Sequence, residues 1–445
     1  MASLPQFPND DEARVVELAE KYIAGGVVSL NRKVTPCRVF CRGLGSKIWD
    51  LQGREYIDYH AAFAPHILGH NFPRINDAVK KSLDDHWSLM GSGPTLWEVE
   101  LAQMVCAAVA SVDSIQITNT GSEAVSLAIR LSQAHTGRED IIVMLGGYNG
   151  WHSEVARSVM PGKDVIGPRI RAGQYPFLPA SAGISLELQS HVHVVNFNDL
   201  ESVEYILKKY PIACVLTEPA LQNIGIVLPH EGYLAGLIDL CERYGALCVL
   251  DEVKTGFRTA LGGYQSVAGV SPHLSIFGKA IANGYPLGVI GGRRDIMDLF
   301  DSPLPEKKVL IAGTYNAHPI ACAASIATLK ILKDPEVYAS IRGTSTRLYD
   351  GLKQLFAEAG IPAVLVNNES AFCVYFSDSG TPPRDWHDVL QHHDFELDLR
   401  YRKALIDKGI YHIPLACKQG SISYSHSNED IDKTLQTTRK VLKHL

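Results

Sequence analysis

Two residues in this chain stand where an apolar run ends, and each could do chemistry that depends on its being delivered there. Lys279 follows "LSIFG" and Asp251 follows "ALCVL". A lysine at such a point can form an imine with a carbonyl compound and, once freed, serve as base and acid. A carboxylate nearby can hold positive charge on a bound ring. Taken singly, each is more simply a loop lysine or a cap, so the weight falls on their company. "SIQIT" runs into "NTGSEAVSLAIRL", placing Asn119, Thr120, Gly121 and Ser122 in a strand-to-helix turn. Unpaired N–H groups, the helix dipole and two hydroxyls make that turn a ready anion site, although plain capping explains it too. "IIVML" leads into "GGYNGWHSE", bringing Tyr148, Trp151 and His152 to the same rim, and "IACVL" leads into "TEPALQN", with Glu218 and Asn223. An anion turn, an aromatic ring, a carboxylate and a lysine together suit a phosphorylated, flat, electron-withdrawing aldehyde.

These residues can meet only if the runs that carry them lie side by side. "SIQIT", "IIVML", "HVHVV", "IACVL", "ALCVL" and "LSIF" are rich in β-branched residues and read as strands. Between the fourth and fifth, "EGYLAGLIDLCERYG" repeats Leu234, Leu237, Ile238 and Leu240 at helical spacing, and Gly245 marks its stop. Doubly buried strands alternating with helices predict an α/β fold with a mostly parallel sheet, whose ligands sit beyond the carboxyl ends of the strands. Residues 160–190 carry Pro, Gly and Ser with weak periodicity and read as a long loop able to act as a lid. From Ala321 a helix-rich tail begins, broken by "AFCVYFS" and "SISYSHS", which predicts a smaller α+β domain. Near the start, "SKIWDLQGREYIDYHAAF" reads as a hairpin turning at Asp50–Gly53 that joins this tail. The expected division is residues 1–70, 71–320 and 321–445.

Composition excludes several classes. The 445 residues are 46% hydrophobic and 20% charged, with a net charge of −6 and no basic run for nucleic acid. No apolar stretch is long enough to span a bilayer, and the acidic N-terminus lacks the apolar region of a secretory signal. Nine scattered cysteines in apolar contexts read as reduced, buried thiols of a cytoplasmic protein. His60, His66, His70 and the His392–His393 pair lack partners at metal-ligand spacing, so no metal site is expected. Asp251 and Glu252 are adjacent and should diverge, which argues against an acid/base dyad. The Walker, G-x-S-x-G and strand-following G-x-G-x-x-G signatures are all missing.

From "GGVVSLNR" through "YIDYHAAFAPHILGHNFP", "ITNTGSEA", "TEPALQN", "LDEVKTGFR" and "FGKAIANGYPLGVIGG" to "GTYNAHPIACAA", the chain resembles the class III aminotransferases. These are fold-type I enzymes dependent on pyridoxal 5'-phosphate, and the branch that looks nearest is that of the glutamate-1-semialdehyde aminomutases. The resemblance implies a large domain with a seven-stranded, mostly parallel sheet and a homodimer with shared sites. It also implies roles. Lys279 would carry the cofactor as a Schiff base, Asp251 would pair with its ring nitrogen, and Thr120, Gly121 and Ser122 would hold its phosphate. Tyr148 would stack on the ring, Asn223 would sit by the phenolic oxygen, and Glu218 would lie behind them. Thr314 would reach the phosphate of the neighbouring subunit, and Arg32 would bind a substrate carboxylate. Three positions depart from the pattern: Asn149 replaces the family's histidine, Phe63 replaces a tryptophan, and Lys418 replaces a glutamate. Phe63, Asn149 and Lys418 are therefore expected near the substrate. The implied activity is transfer of an amino group between an amino acid or amine and a keto acid or aldehyde. An intramolecular aminomutase, a racemase or epimerase, and a non-catalytic cofactor-binding protein are the alternatives.

Overall fold

A computed structural model describes residues 12–35 and 37–445; the first eleven residues, read above for a signal sequence, lie outside it. Near the N-terminus are β1 (Phe40–Leu44), β2 (Lys47–Asp50) and β3 (Glu55–Asp58). The central region contributes β4 (Ser114–Thr118), β5 (Asp140–Met144), β6 (Val192–Val195), β7 (Ile212–Thr217), β8 (Leu247–Asp251), β9 (Leu274–Gly278) and β10 (Gly288–Gly292). The tail adds β11 (Val364–Asn368), β12 (Ala371–Tyr375), β13 (Ile410–Tyr411) and β14 (Gly420–Ser421).

The central strands form one seven-stranded sheet in the order β4-β10-β9-β8-β7-β5-β6. Strands β6, β5, β7, β8 and β9 run parallel, while β10 is antiparallel to both β9 and β4. Every residue of β5, β7, β8 and β9 is buried, which is why these strands read as unbroken apolar runs. Strand β10 gives no such signal, because three of its five residues are glycine. Those glycines let neighbouring backbones approach closely. A Cβ on Gly288 would lie 2.2 Å from the Thr120 carbonyl oxygen, and one on Gly292 would lie 2.4 Å from that of His273.

The N-terminal hairpin does join the tail. Strand β13 pairs in parallel with β3, Ile410 opposite Ile57, to complete a four-stranded sheet, and β11, β12 and β14 form a second small sheet. The helix Pro319–Leu332 is apolar nearly all round and buries eleven residues, packing into the same core as Ile75, Leu101 and Ile281 rather than among the tail strands. The 160–190 loop is tied down: Arg169 donates to Asp385 at 2.7 and 2.9 Å and to Asp388 at 2.6 Å, and Trp386 Nε1 donates to the Pro161 carbonyl at 2.9 Å. All nine cysteines are free, but Cys37 and Cys41 are exposed rather than buried. No described helix is long and apolar enough to cross a membrane.

Candidate active site

Parallel pairing brings the predicted residues to one edge. Thr217 stands opposite Leu250 and Asp251 opposite Ile276, so Glu218 emerges beside Asp251, and Lys279 emerges three residues past Asp251's partner. Gly288 pairs with both Gly278 and Thr118, which brings the Thr120 turn close to Lys279. Lys279 has φ of +50°, in the left-handed region, turning sharply out of β9. A non-glycine residue held there costs roughly 1–2 kcal/mol, a strain typical of functional positions.

The side chain of Asp251 is fixed from two sides. Asn149 Nδ2 donates to its Oδ2 at 2.8 Å, and the Val253 N–H donates to its Oδ1 at 3.0 Å. Burial nevertheless pushes this carboxyl above its usual value, against those bonds and the nearby charges of Lys279 and Lys254. Burial also holds the Lys279 amine below the usual lysine value, against the pull of Asp251 and Glu218. Glu218 accepts from the N–H groups of Tyr148 at 3.0 Å and Gln222 at 3.2 Å, joining two loops of the rim. The Tyr148 phenol is raised by burial and by Asp251's charge, so it stays protonated.

The anion turn opens the helix Gly121–Thr136. Thr120 Oγ1 accepts from the Glu123 N–H at 3.2 Å while the Glu123 carboxylate accepts from the Thr120 N–H at 3.0 Å, a full capping box. Capping uses the oxygen's lone pair and leaves the Thr120 hydroxyl proton available. As the first helical residues, Gly121 and Ser122 carry N–H groups with no carbonyl of that helix to meet.

Lys279 lines a cavity of about 650 Å³ together with Arg32, Phe63, Tyr148, Asn223 and Lys418. Asn149 does not line it; the structure places that side chain beneath Asp251, so it bears on substrate only through the carboxylate it orients. Thr314 is exposed and lines no part of this cavity. Ser122 opens on a second cavity of about 300 Å³ with Trp151, His152 and Asn316.

The family model for the class III aminotransferases matches residues 29–374. The chain belongs to the class III aminotransferases. A glutamate-1-semialdehyde 2,1-aminomutase of Desulforudis audaxviator is 36% identical over 97% of both chains. One of Citrifermentans bemidjiense is 34% identical over 98% of this chain and all of that one. Among solved structures, an omega-transaminase from Sphaerobacter thermophilus is 27% identical, with 98% of each chain covered and a TM-score of 0.88. The fold is that of the fold-type I transaminases, and the family uses pyridoxal 5'-phosphate.

This class III enzyme has residues that fit the cofactor. A lysine amine whose proton affinity burial lowers, an oriented carboxylate on the adjacent strand and a helix N-terminus with unpaired donors stand on one edge. Sequence reasoning missed three features of the site. Lys254, within the quoted "DEVKTGFR", is 9% exposed and donates from Nζ to the Gln222 carbonyl at 2.6 Å and to Asn223 Oδ1 at 3.4 Å. Arg157 is also buried; its Nη2 donates to the Met144 carbonyl, while Nε and Nη1 have no hydrogen-bond partner among the described residues. Third, Ala61, Ala62, Phe63 and Ala64 have φ of +45°, +52°, +66° and +78° without a glycine among them. Asp58 Oδ1 holds this turn through the N–H groups of His60 at 2.9 Å and Ala61 at 3.0 Å, and Arg258 donates to the Ala64 carbonyl. Only the Lys254 signal was visible, as a charge inside a turn with no period to say which way it faces.

Proposed function

We propose that this enzyme moves an amino group from an amino acid or amine to a separate keto acid or aldehyde in two half-reactions, with Lys279 as the residue that changes partners. The supporting observation is the shared strand edge on which Lys279, Asp251 and the Thr120–Ser122 turn meet beside a cavity wide enough for a substrate. Bound pyridoxal phosphate supplies the carbonyl that takes up nitrogen and the ring that spreads negative charge.

The chain's own groups do the rest. Gly121 and Ser122 present their N–H groups, and Thr120 its hydroxyl, to the phosphate. Asp251, ionised by a cationic ring nitrogen and steadied by Asn149, keeps that nitrogen protonated. Tyr148 covers the ring, and Asn223, whose amide oxygen faces Lys254, turns its NH₂ toward the phenolic oxygen. Displaced by the incoming amine, Lys279 would take the proton from the substrate carbon and return it to the carbon on the other side of the nitrogen; burial lowers its proton affinity below that of an ordinary lysine. Arg32 holds a substrate carboxylate through its planar fork. Two chains share their sites, with the exposed Thr314 reaching the neighbour's phosphate, and light scattering should return twice the chain mass.

The curated relatives favour a second reading, in which the nitrogen returns to another carbon of the same molecule. Adding a separate keto acid decides between them. Transamination turns over only with it, and an aminomutase needs none. Lys279→Ala should abolish turnover and the absorbance of lysine-bound cofactor; retention of full turnover would sink both readings.

A further inference from the structure

The cavity beside Lys279 is lined by five cations, Arg32, Arg157, Lys254, Lys279 and Lys418, and by no acidic side chain. None of the five forms an ion pair among the described residues. The two nearest carboxylates are already occupied: Glu218 by two backbone N–H groups, Asp251 by Asn149 and Val253. On the reading above, Lys279 and Asp251 are spent on the cofactor, and its phosphate is held elsewhere, at the helix turn. Four cations then remain, with Glu218 alone to oppose them.

Two of the four are built into one wall. Lys254 Nζ donates to the Gln222 carbonyl at 2.6 Å, and Lys418 Nζ donates to the next carbonyl, that of Asn223, also at 2.6 Å. Lys418 Nζ otherwise meets only the Met160 sulfur, at 3.4 Å. Each ammonium has three donors, so both keep one able to serve a ligand. Holding two unpaired ammonium groups away from water is costly, and an anion seated between them would offset that cost.

We propose that Lys254 and Lys418 form a second anion-binding subsite, so that the preferred amino donor or acceptor carries two acidic groups. Arg32 holds one and the lysine pair holds the other. This rests on the proposed function in taking the cavity as the substrate chamber, and it narrows the substrate class to amino and keto diacids. Arg157 adds positive charge to the same cavity, with Nε and Nη1 buried and without a hydrogen-bond partner among the described residues.

The test uses the cofactor-loaded enzyme and unreactive acids, so it needs no turnover. Succinate, glutarate and adipate are compared with butanoate, pentanoate and hexanoate by calorimetry. One diacid should bind at least about thirtyfold more tightly than its monoacid, the low end for a desolvated charge pair. Lys254→Met and Lys418→Met should each weaken the diacid by a similar factor while leaving the monoacid within about twofold, and Lys254→Arg should restore much of the preference. Equal binding of diacids and monoacids by the wild type overturns the proposal, even if a variant fails to fold. So does a Lys254→Met protein whose cofactor absorbance shifts while its diacid preference stays, since the lysine would then serve the phenolic oxygen. Separately, if no amine, glutamate and norvaline included, converts the cofactor to its aminated form, the transamination reading fails while the diacid comparison still stands.

Discussion

Replacing Asn149 by alanine should weaken cofactor binding through Asp251, without removing any atom that touches the cavity. Asn149 Nδ2 supplies one of the two hydrogen bonds that fix the carboxylate, at 2.8 Å, and the Val253 N–H supplies the other at 3.0 Å. A hydrogen bond to a charged group is worth about 1.5–3 kcal/mol net. Its loss raises the Asp251 carboxyl further, since burial has already raised it and the Asn149 bond is foremost in opposing that rise. The ring nitrogen then meets a less reliable anion, and affinity for pyridoxal phosphate should fall about 10- to 150-fold. The cofactor-free variant is titrated with pyridoxal phosphate by absorbance and equilibrium dialysis between about pH 6 and 9. Asn149→His, the family's residue, should keep near wild-type affinity, and Asn149→Asp should be worst because it sets a second carboxylate against the first. If Asn149→Ala binds cofactor within about twofold of wild type across that range, Asn149 is packing only and the argument is wrong.

Three further outcomes follow from the same geometry. A Cβ on Gly121 would lie 2.8 Å from Val253 Cγ2, so Gly121→Ala should push on the residue that donates to Asp251 and cost about 1–3 kcal/mol; adding Val253→Ala should recover cofactor binding, and no recovery would uncouple the two. Ala62 is exposed with φ of +52°, so Ala62→Gly should stabilise the protein by about 1 kcal/mol in urea unfolding; destabilisation would show that Cβ contacts, not strain, govern that turn. Burial holds Lys254 below its usual 10.5, so the folded protein binds fewer protons there than the unfolded chain between its lowered value and 10.5. The burden of that lysine is therefore full below the lowered value and shrinks as pH rises toward 10.5. Cofactor-free Lys254→Met should exceed wild type by about 1–4 kcal/mol at low pH, with the gap closing as pH rises; a gap that is constant or widens with pH would refute the assignment.

Lys279, Asp251 and the Thr120–Ser122 turn could be read from the chain because each directly follows an apolar run. Strands that run parallel and are joined by helices all release their C-terminal residues at one edge, so order along the chain already implies proximity there. That logic fails wherever position depends on non-local pairing or on backbone shape. Strand β13 finds β3 from more than three hundred residues away, and β10 carries glycines where a strand would carry branched residues, because Gly288 must lie against the Thr120 carbonyl. Asn149 and Lys418 both looked like substrate contacts in the chain. Packing sends the first beneath Asp251 and leaves the second on the cavity wall beside Lys254. The sequence by itself determined which residue types reach the rim. Tertiary structure alone decided which of them face each other, since a turn has no period and the charge on a buried lysine is felt only through the groups packed around it.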